Sequence, residues 1–169
     1  MSIFLTLAYL FFIGSVFGWV LELFYRNLTQ KHSKWINPGF CTGPYLPIYG
    51  FGLCLLFLLA SLERFHLIRN PFWNKALLFL FMAAGMTLIE YLAGLFCLKF
   101  LKVRLWDYSS LRGNVQGLIC PLFSFFWTVL GAVYYFFIHP HILNSLHWLS
   151  RNLAFSFFIG MFYGILLID

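Results

Sequence analysis

The sequence predicts an all-α fold, a polytopic membrane helix bundle of about five transmembrane helices, and three observations carry that reading. Hydrophobic residues make up 62% of the 169-residue chain and charged residues only 9%. With a mean hydropathy of +0.86, the chain has more apolar surface than a soluble domain of this length can hide, so lipid is the solvent for most of it. The apolar residues also fall into five runs, roughly 3–24, 44–62, 75–98, 116–138 and 151–168, each near the ~20 residues that cross a bilayer as helix. The third observation is the head of the second run, where Asn37–Gly52 reads NPGFCTGPYLPIYGFG. Its prolines and glycines hold a backbone in shapes a uniform helix cannot take. At membrane depth such backbone survives only where protein or a water-filled cavity covers it. The stretch is therefore expected to wall a pocket, with Gly39, Gly43, Pro44, Pro47 and Gly50 shaping its backbone.

Residues 1–169 are expected to form a single integral membrane domain. The first run is no cleavable leader: it lacks a basic head, and Glu22 and Arg26 stand where small residues would mark a cleavage site. The second run starts on Pro44 and Pro47, so a kinked or partly re-entrant start remains open. Every run carries small or polar residues at steps of three and four, which share one helix face. They are Gly14, Gly18 and Glu22; Gly43, Pro47, Gly50 and Cys54; Ala83, Thr87, Glu90 and Gly94; Gly117, Pro121, Ser124, Thr128 and Gly131; and Asn152, Ser156, Gly160 and Gly164. For the Gly14/Gly18 and Gly160/Gly164 pairs the plain explanation is close helix packing.

The net charge of +6 does not point to nucleic acid, because the basic residues lie in short loops where topology and anionic headgroups account for them. Arg26, Lys31, Lys34, Lys99, Lys102, Arg104 and Arg112 fall in the first and third loops; Arg64, Arg69, Lys75 and Arg151 fall on the other side. That bias places the first and third loops and the C-terminus in the cytoplasm, with the N-terminus outside.

The residues that can carry chemistry cluster on the same side. Glu90 lies inside the third run, where an ionisable group costs a few kcal/mol and is expected to face a partner or ligand. The bland alternative is a carboxyl group that only joins helices. Glu22 is placed for a pair with Arg26 four residues later. The third loop holds Trp106, Asp107, Tyr108 and Ser109, with Asp107 able to accept from Ser109, Arg112 or a turn. Asn114 is expected to cap the fourth helix, and Asn37, Tyr45 and Tyr49 complete the proposed wall. The histidines read otherwise: His139, His141 and His147 as loop residues on the opposite side, His32 and His66 as surface. Cys41, Cys54, Cys97 and Cys120 show no metal spacing, and neither metal, disulfide nor cofactor is expected. There is no GxxxxGK[ST], HExxH, GxSxG or strand-borne GxGxxG.

Gly18-Trp19 with Glu22, Asn37 with Gly39-Phe40, Gly43-Pro44-Tyr45 with Pro47-Ile48-Tyr49-Gly50, Glu90-Tyr91, and Trp106–Ser109 with Asn114, Gly117 and Ile119-Cys120 stand in this order. The set resembles the bacterial membrane family called Putative ABC-transporter type IV, or CmpB-like. The resemblance covers roughly residues 14–131 and implies a multi-pass permease. The family pattern has an arginine where Pro38 stands, and often one where Leu118 stands, which weakens the case for an anionic substrate.

Three functions are carried forward. The first is a transport-associated membrane subunit, with a carboxylate- and aromatic-lined pocket for a small or lipid-like ligand and with membrane lipid around it. It would act with a separate ATPase subunit or as a homo-oligomer. The second is an intramembrane acid/base enzyme acting on a lipid or isoprenoid. The third is a membrane scaffold or assembly factor without a ligand.

Overall fold

The computed structural model describes residues 3–29, 37–39, 41–65 and 68–169; Lys31, His32, Lys34, Phe40 and His66 lie outside the described residues. The regular structure among the described residues is helical, as the sequence predicts: α1 (Ile3–Thr29), α2 (Pro47–Ser61), α3 (Pro71–Phe96), α4 (Pro121–Val133), α5 (His139–Arg151) and α6 (Leu153–Ile168). A 3₁₀ turn, Leu62–Phe65, follows α2, and π-helical turns at Cys97–Leu101 and Tyr134–Ile138 continue α3 and α4. Four helical stretches are long and apolar enough to cross a membrane: Ile3–Leu28, Pro47–Phe65, Pro71–Leu101 and Pro121–Ile142. The fifth apolar run forms the 16-residue α6, about 24 Å long at 1.5 Å per residue.

Proline sets several of these boundaries. Pro47, Pro71 and Pro121 each open a helix, where the missing N–H leaves nothing unsatisfied. Asn70 caps α3 by accepting the N–H groups of Phe72 (2.9 Å) and Trp73 (3.4 Å). Two expectations are corrected. The fourth helix starts at Pro121 rather than near 116, because the residues before it belong to a folded loop. The segment around His139, His141 and His147, read as a loop, is helix α5, where Ile142 and Leu146 are buried four residues apart. His139 is half-buried, its Nδ1 3.2 Å from the Tyr134 hydroxyl.

The chain divides into two compact units, Met1–Cys54 with His141–Asp169, and Leu55–Pro140. In the first, α6 packs on α1, and the contacts advance together along both helices: Tyr9 meets the Ser156 hydroxyl at 3.0 Å, and Phe12 meets Phe162 edge-on at 4.9 Å. The first half of α2 runs back along α1. Added side chains would collide there: a Cβ on Gly14 would lie 2.8 Å from the Tyr49 carbonyl, and one on Gly50 2.7 Å from the Phe11 carbonyl. So the Gly14/Gly18 pair does serve close packing. The Gly160/Gly164 pair does not among the described residues, since a Cβ at either position meets none of them within 4 Å.

The segment before α2 is not helical, and it lies deep. The Leu46 N–H donates to the Ser15 carbonyl at 2.9 Å, and Ser15 is midway along the 27-residue α1. Irregular backbone at depth needs cover from protein or a water-filled cavity; Pro38 and Tyr45 are buried, whereas Asn37, Thr42 and Pro44 are exposed.

In the second unit α3 buries Asn74, Leu78, Met82, Met86, Glu90 and Gly94. A strict step of four drifts about 40° around the helix each time, at 3.6 residues per turn, so one straight partner cannot cover the stripe. Helix α4 covers its middle, with Gly131 against Met82 and Thr87 bonded to Ser124 at 2.9 Å. At the far end the loop after α3 takes over: a Cβ on Gly94 would be 3.0 Å from Leu118 and 3.1 Å from Trp106.

The two glycine pairs generate opposite expectations. Gly50→Ala is expected to cost about 1–3 kcal/mol through overpacking, and Gly160→Ala to stay within about 0.5 kcal/mol. Thermal unfolding of both variants in nanodiscs checks this, and equal losses would overturn the packing assignment.

Candidate functional site

The second unit carries Glu90, and the loop between α3 and α4 is built to reach it. Asp107 Oδ1 accepts the Arg104 guanidinium at 2.7 Å, the Ser109 N–H at 2.9 Å and the Ser109 hydroxyl. The expected Arg112 partner is replaced by Arg104, which is three residues away and in reach of the same turn. Those hydrogen bonds, led by the Ser109 hydroxyl and N–H, hold the Asp107 carboxyl below its ordinary range. Gly117 has φ +68°, and a Cβ there would lie 2.6–2.7 Å from Ser109, Arg104 and Asp107; glycine is required on both counts. Its carbonyl accepts the Tyr108 N–H at 2.9 Å. Asn114 does not cap the fourth helix. Its amide closes the loop instead, accepting the Gly117 N–H at 3.1 Å and donating to the Leu111 carbonyl at 2.7 Å. Trp106 donates its indole N–H to the Leu118 carbonyl at 2.8 Å.

The product of this knitting is the position of Tyr108. Its ring stacks on Phe123 with centroids 4.2 Å apart, and its hydroxyl donates to Glu90 Oε1 at 3.0 Å. Trp127 of α4 donates its indole N–H to Glu90 Oε2 at 2.9 Å. Glu90 is 3% exposed, and among the described residues no cation pairs with it. Counted along the helical stretch Pro71–Leu101, Glu90 lies about 28 Å from one end and about 16 Å from the other, well inside an apolar core ~30 Å thick. Each oxygen therefore has one neutral donor and keeps lone-pair capacity for a proton or a cationic or hydrogen-bonding ligand.

The first unit holds a separate group. Glu22 Oε1 accepts Arg26 Nε at 2.9 Å, and Glu22 Oε2 accepts the Tyr49 hydroxyl at 2.9 Å. Asn37 ties the irregular segment to α1: its side-chain oxygen accepts the Trp19 indole N–H at 2.8 Å, and its amide donates to the Cys41 carbonyl at 2.8 Å. Tyr45 precedes the first turn of α2 and Tyr49 lies within it, and their hydroxyls serve different carboxylates. That of Tyr45 donates to Asp169, which also accepts the Thr42 N–H at 2.9 and 3.0 Å. Donation from the Thr42 side chain and the Tyr45 hydroxyl, then from the Thr42 N–H, brings the Asp169 carboxyl down to about 2.

The structure thus brings together Glu90, Tyr108, Trp106, Asp107 and Asn114 in one unit, and Glu22, Tyr49, Asn37 and Tyr45 in the other. Trp127 and Asp169 were missed by sequence reasoning. So was Glu63, which lies at the Tyr135 hydroxyl. An open apolar hollow on the first turns of α6, lined by Leu153, Ala154, Ser156, Phe157 and Phe158, contains none of the expected site residues.

Apolar spanning helices with a partnered carboxylate in the middle of one of them define a multi-pass α-helical membrane protein. The family model described as Putative ABC-transporter type IV matches residues 9–169, and the chain belongs to that family. It is thereby a transport-associated membrane protein in a lipid environment. No curated protein and no solved structure matches the chain.

Tyr108→Phe leaves one oxygen of a buried carboxyl without its donor, a loss of about 1–3 kcal/mol. Unfolding in nanodiscs is expected to show that drop, whereas Tyr91→Phe, whose hydroxyl is 3.5 Å from Gln116 Oε1, loses less. Asp107 and Asp169 have depressed folded values, so their contacts contribute fully above about pH 4, the ordinary aspartate value, and are lost as pH falls through the lower folded ones. An acid titration followed by tryptophan fluorescence is expected to show a low-pH limb that Asp107→Asn and Asp169→Asn each reduce.

Proposed function

We propose that this chain is the permease-like subunit of an ABC-type transporter in the bacterial cell membrane, with Glu90, Tyr108 and Trp127 as its intramembrane ligand or proton site. The observation that supports it most is Glu90 itself, buried midway along a spanning helix between neutral donors. A carboxylate held this way costs a few kcal/mol, and no cation among the described residues cancels its negative charge. A proton, or a small or lipid-like ligand with a donor or cationic group, would relieve that cost.

The family chemistry needs ATP, and these 169 residues contain no GxxxxGK[ST] loop. On this reading nucleotide binding lies outside these residues, on a separate ATPase subunit, and the membrane part works beside that subunit or as a homo-oligomer. The excess of basic residues in the first and third loops supports an N-terminus outside and a C-terminus in the cytoplasm.

One observation favours a scaffold instead: Glu22, Glu90, Asp107 and Asp169 all bond protein groups already. Glu90→Gln separates the readings. Purified from bacterial membranes, the chain is expected to bring down an ATPase carrying GxxxxGK[ST], identified by mass spectrometry. The Glu90→Gln variant is expected to keep that partner and its helical circular dichroism, yet lose its effect on the partner's ATP hydrolysis in nanodiscs. Loss of the partner and of thermal stability together, or no ATPase at all, favours the scaffold.

A further inference from the structure

The segment ahead of α2 forms a site for which the transport reading has no use. Thr42 donates its backbone N–H to both carboxylate oxygens of Asp169, at 2.9 and 3.0 Å. Gly43 adds its N–H at 3.4 Å and Tyr45 its hydroxyl. Consecutive backbone N–H groups turned toward one anion make a nest, a concavity that recurs at phosphate sites.

The nest is shaped by groups other than its occupant. Asn37 draws back the carbonyls of Cys41, Thr42 and Gly43, at 2.8, 3.4 and 3.4 Å, which leaves the N–H edges forward. Trp19 fixes Asn37, and the Ser15 carbonyl fixes Leu46. Tyr45 is held by burial and by an edge contact with Phe162 at 5.2 Å. Gly43 has to be glycine, since a Cβ would lie 2.2 Å from the Tyr45 ring.

The occupant, by contrast, is poorly placed. Asp169 is exposed and sits at the C-terminal end of α6, where the helix dipole disfavours negative charge. Among the described residues no Lys or Arg pairs with it. Among the described residues the nest, the Thr42 side chain and the Tyr45 hydroxyl hold it there. A tethered, exposed carboxylate with no cation among the described residues can be exchanged by another oxyanion of the same geometry.

We infer that Thr42, Gly43 and Tyr45 form an oxyanion-binding site for a phosphate or carboxylate group, and that Asp169 is its built-in competitor. The inference stands independently of Glu90. Removing Asp169 raises the fraction of empty nest and so the apparent affinity.

The test uses inorganic phosphate with the protein in zwitterionic nanodiscs, followed by calorimetry, and phosphatidic acid nanodiscs followed by thermal unfolding. Asp169→Ala is expected to bind phosphate about tenfold more tightly than wild type, and adding Tyr45→Phe to remove most of that gain. Stabilisation of Asp169→Ala by phosphatidic acid alone assigns the site to a lipid headgroup; binding in the first arm assigns it to a soluble anion. Should Asp169→Ala lose its helical circular dichroism, Asp169→Asn, which keeps a weak acceptor, replaces it. A folded variant that gains in neither arm overturns the inference and leaves Asp169 a structural tether.

Discussion

A carboxyl group in the middle of a membrane-spanning helix has to find its solvation inside the protein, and much of the second unit follows from that requirement. Glu90 is buried, and an unsatisfied polar group there costs several kcal/mol. Two donors meet the need, and each is delivered by a different device. Trp127 comes from α4, whose approach is set by Gly131 and by the Thr87–Ser124 bond. Tyr108 comes from a loop, and a loop can present a side chain accurately only when its own backbone is fixed. The contacts of Asp107, Asn114, Gly117 and Trp106 are the means of fixing it. These residues do not touch Glu90 in the hydrogen bonds that define them; they hold the one residue that does.

The first unit solves a related problem with a different partner. Glu22 has Arg26 one turn away on its own helix, so a cation supplies most of what water would have given. The second contact, from Tyr49, depends on how closely α2 can lie against α1. Gly14, Gly18 and Gly50 set that distance, and any Cβ among them would enter occupied space. One exception stands in this seam. The Ser15 hydroxyl is buried with no hydrogen-bond partner among the described residues, facing Gly50.

The helices were legible because apolar runs of spanning length admit few other readings. Their ends were less so, since Pro44 and Pro47 are equally good openers by local rules and only the Leu46–Ser15 bond decides between them. The carboxylates stood out because charge at depth is costly and therefore rare. Their partners did not. A tryptophan such as Trp127 inside an apolar run looks like any lipid-facing aromatic, and Asp169 looks like an ordinary polar end. Helix α5 was hidden by its length and by Pro140, which is tolerated in a first helical turn. The glycine pairs carry the plainest lesson: Gly14/Gly18 and Gly160/Gly164 have the same spacing, yet only the first is in contact. Small residues permit close approach, and whether a partner arrives is decided elsewhere in the chain.

The difference between Glu22 and Glu90 bears on which of them can do work. Glu22 and Arg26 together carry no net charge, so a proton or cation arriving at Glu22 must displace an attraction already made. Glu90 has hydrogen bonds but no countercharge among the described residues. Tyr108 and Trp127 orient its oxygens without neutralising them, and an entering proton or cation would break neither bond. At an effective dielectric constant near 20, opposite charges 4 Å apart attract by about 4 kcal/mol, more than a typical hydrogen bond contributes. When Glu90 is ionised, an arriving positive charge therefore gains more there than at Glu22. That asymmetry, rather than burial alone, makes Glu90 the stronger candidate for function and the Arg26-paired Glu22 the stronger candidate for structure.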